Sequence, residues 1–414
     1  MKKIIVSLAL LFSITLSLSS CLLIGTSDRL YQDSNEEEKN HVYNIEAGDN
    51  YDVDITLDGQ NNIIAASKSV LSVVSIYSEY EIYVSSFFGS GIQKGTDKSA
   101  GSGVIYKLDK EKGDAYIITN YHVVFNEYST KENKIAHKIN LYLYGMEGTK
   151  YAIPATYVGG SINYDLAVLK VTNSDILKQS NAMAVTVANS DEISILDTAI
   201  AIGNPKGSGI SATVGYVNID SERIDVQISS GTVSSLRCIR IDTAVNSGNS
   251  GGGLFNDKGE LIGIVNAKNS DTTVDNIGYA IPSNVAKAIA ENIIYYCDNN
   301  TEKEAVYRCM LGISVATTDL YTEYSTETGK VIKKEVVKID SFEEDSLVKD
   351  VLAVGDVINS ITIDGVKHDV TRQYHVIDSM LNARVGSTVV INVTRDGTAQ
   401  DVTIEIVNSM LKPY

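Results

Sequence analysis

From residue 63 onward the chain is patterned in short apolar runs separated by Gly, Asn and Asp. The runs fall at 70–76, 103–106, 115–119, 138–143, 152–158 and 166–171, then at 198–202, 224–228, 238–241, 254–255 and 261–265. Many short strands at modest spacing predict a mainly β domain, a sandwich or a pair of barrels, rather than alternating β and α units. At Ser283 the period changes. Val285, Ala288, Ile289, Ile293 and Tyr296 recur at helical spacing, with Ser283 or Asn284 placed to cap and Asp298 to Asn300 placed to end the helix. This helix closes a first domain, 63–299, and 300–309 reads as a linker. Beyond it, runs at 311–315, 331–339, 357–363, 387–393 and 401–406 predict strands. Helical segments near 344–351 and 371–381 interrupt them, which makes 310–414 a separate α+β domain.

The first 21 residues follow a different pattern. Lys2 and Lys3 precede an apolar run, 4–18, which ends in Leu18-Ser19-Ser20-Cys21. The run is too short for a spanning helix and fits a secretory signal with small residues before the cut. The cysteine at that point resembles the lipobox of bacterial lipoproteins, which implies a lipidated Cys21; a plain signal peptide or an uncleaved anchor is the alternative. Several acyl chains would hold a soluble domain on the outer face of a membrane. The polar stretch 22–62, with Glu36, Glu37 and Glu38, reads as a solvated tether, although 51–57 alternates and could form a short strand.

Composition narrows the function class. The 414 residues are 43% hydrophobic and 21% charged, which is globular and sufficient for two or three domains. The net charge of −17 excludes an electrostatic nucleic-acid footprint, and the four cysteines lack zinc-ligand spacing. With Cys21 lipidated, Cys238, Cys297 and Cys309 remain, and the sequence leaves their pairing open. Cys238 sits in an alternating run and reads as a small buried hydrophobe.

The stretch Asn246-Ser247-Gly248-Asn249-Ser250-Gly251-Gly252-Gly253 is the candidate centre of chemistry. A serine hydroxyl needs a base to take its proton and N–H groups to hold the oxyanion formed on attack. Glycines beside Ser250 let backbone amides converge; alone, the same stretch could be a hairpin turn. Of five histidines, His41 lies in the tether, His137 in a polar stretch, and His368 and His375 in the C-terminal domain. Only His122 follows a predicted strand, in Thr119-Asn120-Tyr121-His122-Val123-Val124. Asp165, directly before the run 166–171, is the candidate orienting carboxylate. The order His122, Asp165, Ser250 is the chymotrypsin order of a catalytic triad.

At these residues the chain resembles the HtrA (Deg) family of extracytoplasmic serine proteases. Gly101-Ser102-Gly103-Val104-Ile105 resembles its early glycine motif, Asp165-Leu166-Ala167-Val168-Leu169 its aspartate motif, and Ala201-Ile202-Gly203-Asn204-Pro205 the lead-in to its first regulatory loop. Asp242 to Gly252 resembles its serine motif, and Gly278 to Asn284 its domain-closing segment. The resemblance implies a chymotrypsin-like double β-barrel with the active site between barrels. Ser250 would be the nucleophile, His122 the general base and acid, and Asp165 its orienter, with the oxyanion hole in Gly248, Asn249 and Ser250. No metal or organic cofactor is implied. Ala244, six residues before Ser250, and Val245 would make an apolar specificity pocket for small or medium aliphatic side chains. Val265, Asn266, Ala267 and Lys268 would be the edge strand that pairs with substrate. Lys206 stands where the family commonly has an apolar residue; Ser247 and Gly253 stand where it often has proline. A serine loop with glycines and no proline implies one that can be disordered or inverted at rest and ordered by peptide.

Met310-Leu311-Gly312-Ile313 resembles the carboxylate-binding loop of the family's PDZ domain, and Val354-Gly355-Asp356 its Gly-Asp turn. Leu311, Gly312 and Ile313 would then take the C-terminus of a peptide, with residues 376–381 walling its pocket. The partners implied are unfolded or misfolded proteins, C-terminal peptides, a membrane reached through the lipid anchor, and two further copies in a homotrimer. The rival expectations are a chaperone-like or stress-sensing peptide binder with little proteolysis, and an esterase using the same three residues.

Overall fold

The computed structural model describes residues 67–85, 92–230, 232–266, 277–298, 306–326 and 329–413. The signal segment, Cys21, the tether, Ala267 and Lys268 lie outside the described residues.

Two closed barrels follow one another. The first contains β1 (Val73–Ser85), β2 (Ile92–Asp109), β3 (Asp114–Thr119), β4 (Lys138–Leu143), β5 (Ile153–Ser161) and β6 (Leu166–Val171), joined in the order β1-β2-β3-β6-β5-β4. Alternate residues of these strands, among them Ile76, Ile105, Ile117, Leu141 and Leu169, fill its interior. Gly103 lets three strands meet there, since a Cβ on it would lie 2.6 Å from Ile117 Cγ2 and 2.8 Å from Ile76 Cδ1. The second barrel contains β7 (Thr198–Gly203), β8 (Ser211–Ser229), β9 (Thr232–Ile241), β10 (Gly253–Phe255), β11 (Leu261–Asn266) and β12 (Gly278–Pro282), in the order β10-β11-β12-β9-β8-β7. β8 and β9 are much longer than their apolar runs. Over much of their length only every second residue is buried, so hydrophobicity marks just part of each strand.

The closing helix, Ser283–Ile293, forms where expected and buries Val285, Ala288, Ile289 and Ile293. Its cap differs from the expectation. Pro282 occupies the cap position, and the Ser283 hydroxyl donates instead to Ala188 O at 2.8 Å, stapling the helix to the loop before β7. A π-helical turn, Ile294–Asp298, follows, and Lys170 Nζ of β6 reaches Asp298 at 2.8 Å.

The C-terminal unit contains β13 (Tyr307–Cys309), β14 (Ile313–Tyr324), β15 (Val331–Phe342), β16 (Val357–Ile363), β17 (Val366–Asp369), β18 (Thr388–Arg395), β19 (Thr398–Glu405) and β20 (Leu411–Pro413). Its main sheet runs β14-β15-β16-β18-β19, with β17 on β16. β13 was expected in the linker, but it pairs antiparallel with β20 and so belongs to this unit. Only one of the two expected helices forms, Gln373–Met380. Residues 344–351 fold as turns: Ser346 Oγ donates to Leu311 O at 2.9 Å, and Val348 O accepts from both Val351 and Leu352, a single helical turn that goes no further.

This unit rests on the second barrel through charged side chains withdrawn from solvent. Arg237 of β9 pairs with Asp378 at 2.5 Å, while Arg372 pairs with Asp220 of β8 at 2.5 Å and with Glu335 at 3.0 Å. His375 lies among them, its Nδ1 accepting from Thr371 N at 3.2 Å and its Nε2 3.6 Å from Asp191. Burial holds His375 below the ordinary imidazole range, with Asp191 pulling it up and Arg237 and Arg372 pushing it down. The unfolded chain therefore takes a proton first, near pH 6.5, and stability falls as pH drops through that value. Thermal unfolding followed from pH 7.5 to 5.5 should show this loss, with a shallower slope in His375→Gln.

Candidate active site

The site is built where the barrels meet. β3 ends at Thr119, whose hydroxyl donates to Ser102 O of β2 at 2.7 Å. Asn120 then turns the chain into a short helix, Tyr121–Val124, which carries His122. Asp165 takes the left-handed backbone conformation, φ 49°, immediately before β6. That conformation turns its carbonyl toward Tyr121 N (3.1 Å) and Asn120 Nδ2 (2.9 Å), which locks aspartate and histidine segments together. Its carboxylate is fully buried and accepts three hydrogen bonds. They come from His122 N to Oδ1 at 3.0 Å, from His122 Nδ1 to Oδ2 at 2.7 Å, and from Asn266 Nδ2 to Oδ2 at 2.9 Å. The 2.7 Å contact with Asp165 Oδ2 makes His122 Nδ1 the donor and leaves Nε2 with its lone pair.

Ser250 is on a loop fixed at both ends. Ser102 N donates to Ser250 O at 2.9 Å, Gly251 N to Val265 O at 2.9 Å, and Val265 N to Gly252 O at 2.8 Å. Gly251, at φ 82°, lies so close to the histidine segment that a Cβ would be 2.2 Å from Ser102 O and 2.3 Å from Thr119 Oγ1. Lys206, itself left-handed at φ 56°, donates its N–H to Ser247 O at 2.8 Å. Carbonyl and N–H of one trans peptide point in opposite directions, so this bond turns Gly248 N–H away from Lys206. That N–H donates to no protein acceptor among the described residues. Asn249 departs from the expectation that it serves the oxyanion hole: its N–H turns back to Asn246 O at 2.9 Å, and its carbonyl accepts from Gly252 N at 2.9 Å.

The remaining candidates fall around this centre. Ala244 is exposed, with its carbonyl bonded by Thr213 Oγ1 at 2.9 Å. Val245 is half-buried against Gly278, where a Cβ would lie 2.9 Å from Val245 Cγ2. Val265 and Asn266 end β11, both buried. Cys238 is fully buried and its thiol is pushed well up by desolvation, so it is no nucleophile. Among the described residues no three His, Cys, Asp or Glu side chains are grouped to hold a metal ion. In the C-terminal unit Leu311, Gly312 and Ile313 do come together with Val376 and Met380 around a cavity of about 140 Å³. Gly312 is required there twice over, by φ 66° and by Ser346 Cβ, 2.9 Å from where its Cβ would be.

The trypsin-like peptidase domain family matches residues 101–264. Over 377 residues, 87% of this chain and 85% of the relative, the sequence is 31% identical to the serine protease Do-like HtrA of Lactococcus lactis subsp. cremoris. The chain belongs to the HtrA family of serine proteases. It is 37% identical to the Do-like HtrA of Bacillus subtilis over 236 residues, which are 56% of this chain and 46% of that protein. Among solved structures, the HtrA-type protease AlgW with a decapeptide is similar at a TM-score of 0.50 and 26% identity, covering 84% of this chain and 98% of that one. As an HtrA protease the protein is a serine endopeptidase. Two of its site contacts have no signal in the sequence. Asn266 stood out for its backbone, not for the amide that reaches Asp165, and Ser102 stood out only as the middle of a glycine motif. Asn266→Ala should lower kcat/KM about tenfold, the worth of one hydrogen bond to a charged group, with KM little changed.

Proposed function

We propose that this HtrA protease is an extracytoplasmic, lipid-anchored endopeptidase that cuts unfolded or misfolded proteins after small or medium aliphatic residues. The observation that carries the reading is the buried Asp165 carboxylate at 2.7 Å from His122 Nδ1, with Gly248 N–H donating to no protein acceptor among the described residues. Ser250 Oγ attacks the peptide carbonyl carbon as its proton passes to His122 Nε2. The carbonyl oxygen, now negative, is held by the N–H groups of Gly248 and Ser250. Collapse of this intermediate expels the amine, which takes the proton from His122 and leaves an acyl ester on Ser250. Water then repeats the cycle, giving its proton to His122 and releasing the acid as Ser250 recovers its own. Asp165 orients His122 and stabilises its imidazolium.

The uncharged side chains of Ala244 and Val245 support the aliphatic preference, since neither offers a counter-ion to a basic side chain. The cavity at Leu311, Gly312 and Ile313, walled by Val376 and Met380, supports binding of peptide C-termini by strand addition, as in a PDZ domain. The signal-like N-terminus ending at Cys21 supports the outward location and the anchor, and palmitate incorporation should be lost in Cys21→Ala. Unfolded casein incubated with the protein should be cut after Ala, Val, Ile or Leu, as read by mass spectrometry. Ser250→Ala should bring cleavage to background, because losing such a serine costs on the order of 10⁶ in kcat in subtilisin. Fragments ending in Lys or Arg would contradict the pocket, and casein binding without Ser250-dependent cleavage would favour a chaperone.

A further inference from the structure

Ser102 belongs to the first barrel, yet its polar atoms serve the serine loop of the second. It is fully buried on β2. Its N–H donates to Ser250 O at 2.9 Å, and its carbonyl accepts from Thr119 Oγ1 at 2.7 Å. Its hydroxyl accepts from Asn204 N at 2.8 Å and donates to Gly248 O at 2.7 Å. The direction of the last bond follows from the partners. Asn204 N–H can only donate and Gly248 O can only accept, so the one hydroxyl proton goes to Gly248 O.

We propose that Ser102 is a positioning residue for the reaction: its hydroxyl sets the peptide that lies between the two oxyanion-hole donors. The inference rests on the Ser250 acyl-enzyme reading. Gly248 N–H belongs to the peptide Ser247–Gly248, and Ser250 N–H to the peptide Asn249–Ser250. The unit between them, Gly248–Asn249, has its carbonyl on Ser102 Oγ. A change in ψ of Gly248 or φ of Asn249 that the other does not offset swings the two donors apart. Gly248 has no Cβ and sits at φ 98°, so its own sterics oppose such a rotation weakly. The orientation comes from its neighbours: Lys206 N on Ser247 O, Gly252 N on Asn249 O, and Ser102 Oγ on the carbonyl in the middle. The same hydroxyl holds Asn204, two residues before Lys206, so one side chain aligns both the loop and the segment that latches it. This loop, which the sequence marks as free to invert, is braced by a residue from the other barrel.

Ser102→Ala removes only the hydroxyl and leaves Gly248 O and Asn204 N without their partner. The experiment compares full-length wild type, Ser102→Ala and the hydroxyl-retaining Ser102→Thr on a fluorogenic peptide with Val at the cleavage site. Active sites are counted by fluorophosphonate titration, so that kcat is expressed per competent site and misfolded protein does not enter. For Ser102→Ala, kcat per titrated site should fall about tenfold to a hundredfold, below the full loss of an oxyanion donor, with KM within about twofold. Affinity for a peptide boronate, which needs the oxyanion hole, should fall in proportion to kcat/KM, while Ser102→Thr keeps most activity. Wild-type kcat per site in Ser102→Ala, or equal impairment of the Ala and Thr variants, would overturn the proposal. If wild type itself fails to titrate, the Ser250 reading fails first, and Ser102 loses its role with it.

Discussion

The demand of one buried carboxylate organises this protease. Asp165 has no contact with solvent, and an ionised carboxylate left unpaired in such a place costs several kcal/mol. Its donors come from two directions: His122, presented by a short helix after β3, and Asn266, presented by the end of β11. Asp165 and His122 belong to the first barrel and Asn266 to the second, so the charge is fully compensated only when the barrels are docked. The catalytic constellation is thus a consequence of closing the fold. The same seam carries Ser102 N on Ser250 O, which fixes the Ser250 loop to the barrel that carries His122. Chemistry and barrel docking share one set of hydrogen bonds.

The C-terminal unit is joined by a different kind of contact. Arg237 with Asp378 and Arg372 with Asp220 form pairs that are largely shielded from water, with Arg237 also 4.0 Å from the ring centroid of Tyr374. Burial pushes Asp378 up, and the Arg237 charge opposes it. Pairs of this type add little net stability compared with apolar packing, but a misplaced partner leaves a buried charge without compensation. The result is a contact that is specific in geometry and sensitive to protonation at His375.

The parts legible in the sequence are those with a local pattern. β4, β6 and β16 lie within the bounds set by their apolar runs, because each is buried along most of its length. β8 and β9 extend beyond theirs, since a strand with one face in water carries half the apolar signal. Residues 344–351 mimic a helix in composition but turn to satisfy Leu311 O. The pairing of His122 with Asp165 was legible because few histidines and aspartates stand beside strand ends. Ser102 and the Asn266 amide were not. Their partners are 146 and 101 residues away, and no periodicity records a cross-barrel hydrogen bond.

If Ser250 is made nucleophilic by His122 across this seam, covalent labelling will show it. The peptide-free protein is treated with a fluorophosphonate, digested, and mapped by peptide mass spectrometry. The proposed mechanism requires one adduct per chain, on Ser250, with labelling abolished in His122→Ala. An adduct on another residue, or Ser250 labelling that survives the loss of His122 undiminished, would contradict it.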